Sequence, residues 1–199
     1  MVSTEQTVKD QFAKVFASSD WRLFKEIADI NLAEAAVLKK ASFNNVPAKL
    51  RLLVRNSRKR LLIGIGVELV IKSVYLKAGY AINKPKDSKA GPKMPFLLAD
   101  TPLDQLNSNE TYVLSRLIDH LDKVLPVKAS DDLMQGLRIA KVFRNKEGHI
   151  VTGAHAFKSE SFRKIEQALK ELYFCAFKQQ LDVLFAMAPK EKGRWSVAL

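Results

Sequence analysis

The stretch LLIGIGVELVIKSVYLKAGY, from Leu61 to Tyr80, decides the fold of this chain. Its apolar residues fall on nearly all sides of a helix, which predicts a central, buried helix. It is almost long enough to cross a bilayer, but Glu68, Lys72 and Lys77 lie inside it, where charges are costly in lipid. Glu68 and Lys72 are four residues apart, the spacing of a helical ion pair. We therefore expect a buried core helix, ended by Gly79 as a C-cap, and no membrane partner.

The composition is that of a globular, largely helical protein. Hydrophobic residues make up 47% of the 199 residues and charged residues 27%, whereas Gly (8) and Pro (7) are too few for the many turns of a β-sandwich. The single cysteine, Cys175, cannot form an internal disulfide, as is usual in a reducing compartment. The N-terminus, MVSTEQTVKDQ, lacks the apolar core of a signal peptide. These features predict a cytoplasmic protein.

The charge balance favours a polyanionic partner. The chain has 33 Lys and Arg against 21 Asp and Glu, a net charge of +12, which favours nucleic acids through phosphate neutralisation and counterion release. One basic cluster precedes the central helix and a second follows it. The predicted RNA-binding residues in these clusters are Arg51, Arg55, Arg58, Lys59, Arg60, Lys84, Lys86, Lys89 and Lys93. The alternative is that each cluster is only a solvated face.

The remaining segments are also predicted to be helical, and none has a convincing strand pattern. Helices are expected over 20–40, 50–80 with a joint near Asn56 and Ser57, 110–124, 131–144 and 159–187. Residues 81–102 contain four prolines and four lysines and are expected to form a long loop. The predicted organisation is an N-terminal helical extension (1–45), a helical domain (46–189) and a flexible tail (190–199).

The candidate catalytic residues lie at the end of the helix predicted over 131–144. The core side of this helix carries an apolar residue at every third or fourth position, and Arg144 occupies the next position in the series. Because an unpaired buried charge is expensive, this arginine needs a partner or a function. Asn145 follows directly, and His149 comes five residues after the arginine. Gly148 allows the helix to unwind, so that His149 can turn back towards Arg144.

The motif RNKEGH, from Arg144 to His149, resembles the R-x(4–6)-H signature of HEPN domains (higher eukaryotes and prokaryotes nucleotide-binding), in the form with a polar residue after the arginine. The order of predicted elements between Val46 and Met187 is similar to that family as well. The resemblance implies an all-α helical bundle that forms homodimers, in which both copies of the motif face one cleft. It also implies an endoribonuclease that needs no metal and no cofactor.

Such a motif can cleave RNA because the RNA 2′-OH supplies the nucleophile. His149 would act as general acid or base near neutral pH. Arg144 would bind the scissile phosphate and stabilise the charge that develops on it, and Asn145 would orient either group. Glu68 and His155 are candidate supporting residues. Three scattered histidines and one cysteine do not have metal-ligand spacing, so no metal site is expected.

Two other interpretations stay open. Arg144 could be a structural arginine paired with an acid such as Glu68, in a HEPN-like module that binds nucleic acid or a protein partner without cleavage. A helical DNA-binding regulator would also be basic, but residues 81–102 do not supply the tight turn of a helix-turn-helix. Val151 stands where HEPN toxins with a nucleotidyltransferase antitoxin carry a tyrosine. This difference disfavours that control and favours a nuclease of phage defence or stress response, whose regulatory partner is unknown.

Overall fold

The computed structural model describes residues 4–8, 20–38, 43–146 and 159–182, and these ranges are mostly helical. Residues 4–8 form a short helical segment. The principal helices are α1 (Trp21–Val37), α2 (Ala48–Lys77), α3 (Leu114–Asp119), α4 (Asp131–Lys146) and α5 (Ser159–Phe177). Two short strands, β1 (Asn83–Pro85) and β2 (Leu106–Thr111), pair antiparallel between α2 and α3. The all-α class is confirmed, whereas the expectation that the chain has no strand is wrong.

Helix α2 is the centre of the structure, as the sequence predicts. It is one unbroken helix of 30 residues, so the joint expected near Asn56 and Ser57 is not formed. Apolar side chains on several sides of its second half are completely buried, among them Ile63, Val67 and Ile71. Gly79, with a φ of 81°, follows its C-terminus in the left-handed conformation that glycine tolerates.

Helix α1 packs antiparallel to α2. The Ser73 hydroxyl donates to the carbonyl of Trp21 at 2.8 Å near one end of the pair, and Arg58 contacts Glu34 at 2.5 Å near the other. The α1 residues in the main hydrophobic core are Phe24, Ala28, Leu32 and Ala35. The described part of the predicted N-terminal extension is therefore integral to the same core as the rest of the chain.

The segment between α2 and α3 is more ordered than the loop predicted from its prolines and lysines. Asn83 pairs with Thr111, and Pro85 pairs with Leu106 across an irregular register. A small second core of Ala81, Phe96 and Leu106 lies beneath the strands. We call residues 83–111 the β1–β2 segment. It shortens the helix expected over 110–124, because α3 begins only at Leu114.

Helices α4 and α5 complete the bundle in close contact. Ser130 caps α4 by accepting from the Leu133 amide at 3.0 Å, and its hydroxyl donates to Glu171 of α5 at 2.6 Å. At Gly136, a Cβ atom would lie 2.4 Å from the Cβ of Ala168, so glycine permits the approach of the two helices. Helix α5 ends at Phe177, earlier than the predicted residue 187. None of the helices in the described ranges is both long and apolar enough to cross a membrane.

Candidate functional site

Arg144 lies near the C-terminal end of α4, beside the middle of α2. Its Nε donates to Oε2 of Glu68 at 3.0 Å, and Oε1 of Glu68 contacts Nζ of Lys72 at 2.9 Å. One carboxylate therefore holds two cations. The side chains of Lys72, Glu68 and Arg144 are 7%, 20% and 42% exposed, so the network runs from the interior towards solvent. This pairing of Arg144 with Glu68 is the one that the structural interpretation of the sequence expects.

The sequence of α2 explains why Arg144 can lie so close to it. Arg60, Gly64, Glu68 and Lys72 follow one another at intervals of four residues and share one side of the helix, which we call the polar stripe. A Cβ atom at Gly64 would lie only 2.7 Å from both the backbone N and Cα of Arg144. Glycine at this position therefore lets α4 contact the backbone of α2, one turn before Glu68.

The position of the guanidinium suits an anion-binding role. Glu68 fixes Nε, and the terminal Nη atoms have no hydrogen-bond partner among the described residues. Two parallel N–H groups with this freedom can bind two oxygens of a phosphate. Asn145, the next residue, is exposed at the same helix end. His149 and His155 lie outside the described residues, so the structure brings Arg144, Asn145 and Glu68 together without placing either histidine.

An aromatic contact brings one of the predicted RNA-binding residues to the same end of the bundle. The rings of Phe143 and Phe162 lie 5.5 Å apart, and Nζ of Lys59 lies 4.6 Å from the centre of the Phe162 ring. Lys59 is thus close in space to the residue that precedes Arg144. The sequence analysis identified neither Phe162 nor Gly64, since an aromatic residue and a glycine in apolar helices have no distinctive spacing.

The other basic residues before the central helix are largely engaged within the chain. Arg60 is only 3% exposed, so its predicted contact with RNA phosphates is incompatible with this structure. Arg58 pairs with Glu34, and the Nε of Arg51 donates to the carbonyl of Val46 at 2.9 Å. The Arg55 guanidinium lies 5.9 Å from the centre of the Phe43 ring. This cluster stabilises helix contacts at least as much as it offers charge to solvent.

The lysines of the β1–β2 segment are more available. Lys84 contacts Glu110 at 3.0 Å, which links the two strands. Lys86, Lys89 and Lys93 are exposed, and they have no ion-pair partner within the described ranges. These three lysines are therefore the accessible remainder of the predicted RNA-binding set in this segment.

One carboxylate lies among these lysines. Oδ1 of Asp87 accepts from the amides of Ala90 at 3.0 Å and Lys89 at 2.8 Å. These hydrogen bonds, that from Ala90 foremost, lower the pKa of Asp87 below its ordinary value, because they stabilise the charged form. Asp87 therefore stays ionised and offsets part of the positive charge of the segment.

The chemistry of the site must be argued from its own geometry. Within the described ranges, no group of three or more His, Cys, Asp and Glu side chains is arranged to hold a metal ion. Comparison of the chain with models of known protein families, with curated proteins and with solved structures found no match.

Proposed function

We propose that the chain is a HEPN-type endoribonuclease that cleaves RNA without a metal or a cofactor and acts as a cytoplasmic homodimer. The observation that carries the proposal is the anchored, half-exposed guanidinium of Arg144, the arginine of the HEPN-like motif, at the surface end of α4. Its Nε is fixed by Glu68, so that the Nη atoms are oriented before RNA binds. Such preorganised charge is the usual means by which a protein stabilises a developing anion.

In the proposed reaction, the 2′-oxygen of RNA attacks the adjacent phosphorus while the bond from phosphorus to the 5′-oxygen breaks. The 2′-OH loses its proton and the leaving 5′-oxygen gains one, and His149 would perform one of these transfers. Arg144 would bind the two non-bridging oxygens, where negative charge increases. The products are a 2′,3′-cyclic phosphate and a 5′-hydroxyl, so no water or metal-bound hydroxide is required.

The purified full-length chain is therefore expected to cut single-stranded or looped RNA in the presence of EDTA. The ends of the products should be analysed by mass spectrometry, which distinguishes a 2′,3′-cyclic phosphate from a 3′-hydroxyl. Cleavage that requires magnesium or manganese, or products with 5′-phosphates, would contradict the proposed mechanism.

A second candidate function is a HEPN-like module that binds RNA without cutting it. The observation in its favour is the same ion network, because Glu68 already balances part of the charge of Arg144 and Lys72. A structural arginine would have this geometry too. Tight, salt-dependent RNA binding without cleavage in EDTA or with added divalent metal would support this candidate instead.

The accessible lysines of the β1–β2 segment give a separate test of RNA binding. Replacement of Lys86, Lys89 and Lys93 by glutamine is expected to weaken RNA binding and to reduce the slope of log affinity against log salt concentration by about 2, since each lost phosphate contact removes close to one released counterion. Thermal stability should change little, because exposed lysines contribute little to folding. Fluorescence anisotropy at several salt concentrations measures both effects.

Lys84→Gln is the matched control, because Lys84 is already paired with Glu110. We expect this single change to alter the salt dependence less than the average of the other three. If the triple variant binds RNA as tightly as the parent at every salt concentration, this segment is not the RNA-binding surface.

A further inference from the structure

Helix α1 carries a second apolar face besides the one in the core. Leu23, Ile27, Ile30 and Val37 are 47%, 42%, 60% and 49% exposed. With Glu34 they repeat at alternating intervals of four and three residues, the spacing of a heptad seam. We call Leu23, Ile27, Ile30, Glu34 and Val37 the outer stripe. Single exposed apolar residues are common, but a contiguous row along one helix marks an interaction surface.

We propose that the outer stripe binds the outer stripe of a second copy of this chain, with the two α1 helices antiparallel and the two-fold axis at Ile30. The stripe is symmetric about this residue, since Leu23 precedes it by seven residues and Val37 follows it by seven. In an antiparallel pair, Ile30 meets Ile30 and Leu23 meets the partner subunit's Val37. A surface that complements itself in this way is what a two-fold dimer requires. The seam would be about 21 Å long at a rise of 1.5 Å per residue.

The charges on α1 select both the partner and its orientation. Glu34, the polar member of the stripe, is paired with Arg58 at 2.5 Å within the chain, so that its burial would not leave an unpaired charge. Glu26 is exposed and has no ion-pair partner in the described part of the chain. Antiparallel pairing brings Glu26 level with the pair formed by Glu34 and Arg58 of the partner subunit.

Arg58 can serve this second carboxylate, because its side chain remains 54% exposed while it contacts Glu34. A parallel arrangement would instead place Glu26 of one copy against Glu26 of the other, far from either Arg58. Opposite charges across an interface fix register and orientation more than they raise affinity. The antiparallel second copy is therefore the occupant that both the apolar and the charged residues of α1 fit.

This inference is independent of the proposed nuclease activity. The dimer implied by the HEPN resemblance brings together the motifs at the end of α4, whereas the outer stripe lies on α1. Helix α1 packs on α2 through Phe24, Ala28 and Leu32, which leaves the outer stripe on a different side of the bundle surface. The two arrangements predict different cross-links, so they can be separated experimentally.

The first test is the mass of the full-length chain by light scattering and sedimentation over a range of concentrations. The parent is expected to dimerise, and Ile30→Asp is expected to be monomeric with its helical content unchanged, because Ile30 is 60% exposed. Leu103→Asp is the matched control, since Leu103 is 68% exposed but lies outside the outer stripe, and this variant should remain dimeric. A monomeric parent, or a dimer insensitive to Ile30→Asp, overturns the proposal.

The second test uses cysteines in a Cys175→Ser background and fixes the orientation. Ile30→Cys alone should form a disulfide-linked dimer on mild oxidation, because the residue meets its own copy at the axis. Leu23→Cys alone should not, but a mixture of Leu23→Cys and Val37→Cys should give the mixed dimer. Self-linking of Leu23→Cys, or linking of Asn145→Cys in place of Ile30→Cys, would show a different interface and refute the antiparallel α1 pair.

Discussion

Replacement of Arg144 by alanine is expected to lower the rate of metal-independent RNA cleavage by about 100- to 1,000-fold, the usual loss when one preorganised donor to a developing anion is removed. The variant loses the Nη groups that would bind the non-bridging oxygens. Arg144→Lys should rescue little, because a lysine has one charged nitrogen and cannot both contact Glu68 and present a fork to phosphate. Single-turnover rates at saturating RNA measure the loss without a contribution from binding.

Arg138→Ala is the matched control for this loss, since Arg138 is an exposed arginine on the same helix. It should keep the single-turnover rate near that of the parent even if RNA affinity falls. His149→Ala should lose cleavage to a similar extent as Arg144→Ala. If Arg144→Ala cuts RNA at the rate of the parent, Arg144 is a structural residue and the proposed site is wrong.

Periodicity predicted the central helix and the ion network well, because both depend on local spacing. The apolar run from Leu61 to Tyr80 is α2 and is buried as expected. Glu68 and Lys72, four residues apart, do form an ion pair, and Glu68 is also the partner of Arg144. The position of Arg144 in an apolar series was sufficient to indicate that it lies against another helix.

Contacts between distant segments were not predictable in the same way. Strands β1 and β2 pair Asn83 with Thr111, and a segment with four prolines has no alternation to reveal such pairing. Arg60 looked like part of a basic surface because its neighbours are basic. Its burial follows from its position on the polar stripe, and the sequence does not say which side of α2 the later helix α4 covers.

The place of Lys59 shows the same limit. Its contact with Phe162 joins α2 to the first turns of α5, more than one hundred residues later. No local pattern links the two residues, and only the packing of α4 between these helices brings them together. The functional surface near Arg144 is therefore a product of tertiary packing, while its individual charged residues were visible in the sequence.

Removal of the Glu68 carboxylate is expected to be the most destabilising single change at the site. Glu68→Ala should lower the free energy of unfolding by about 3 kcal/mol, the lower part of the range for breaking a buried ion pair, because Lys72 is 7% exposed and loses this counter-charge. Glu68→Gln should cost less, since an amide keeps the shape and one acceptor oxygen. Urea denaturation followed by circular dichroism gives these free energies.

The double variant Glu68→Ala, Lys72→Met identifies the cause. If the cost comes from the buried ammonium, a methionine in its place should restore a large part of the lost stability. Arg144→Met in the Glu68→Ala background should restore much less, because the Arg144 side chain is 42% exposed and water already solvates its charge. Equal recovery from both second changes would mean that burial does not set the cost. In that case, the gradient from Lys72 to Arg144 would not explain how the guanidinium is held at the surface.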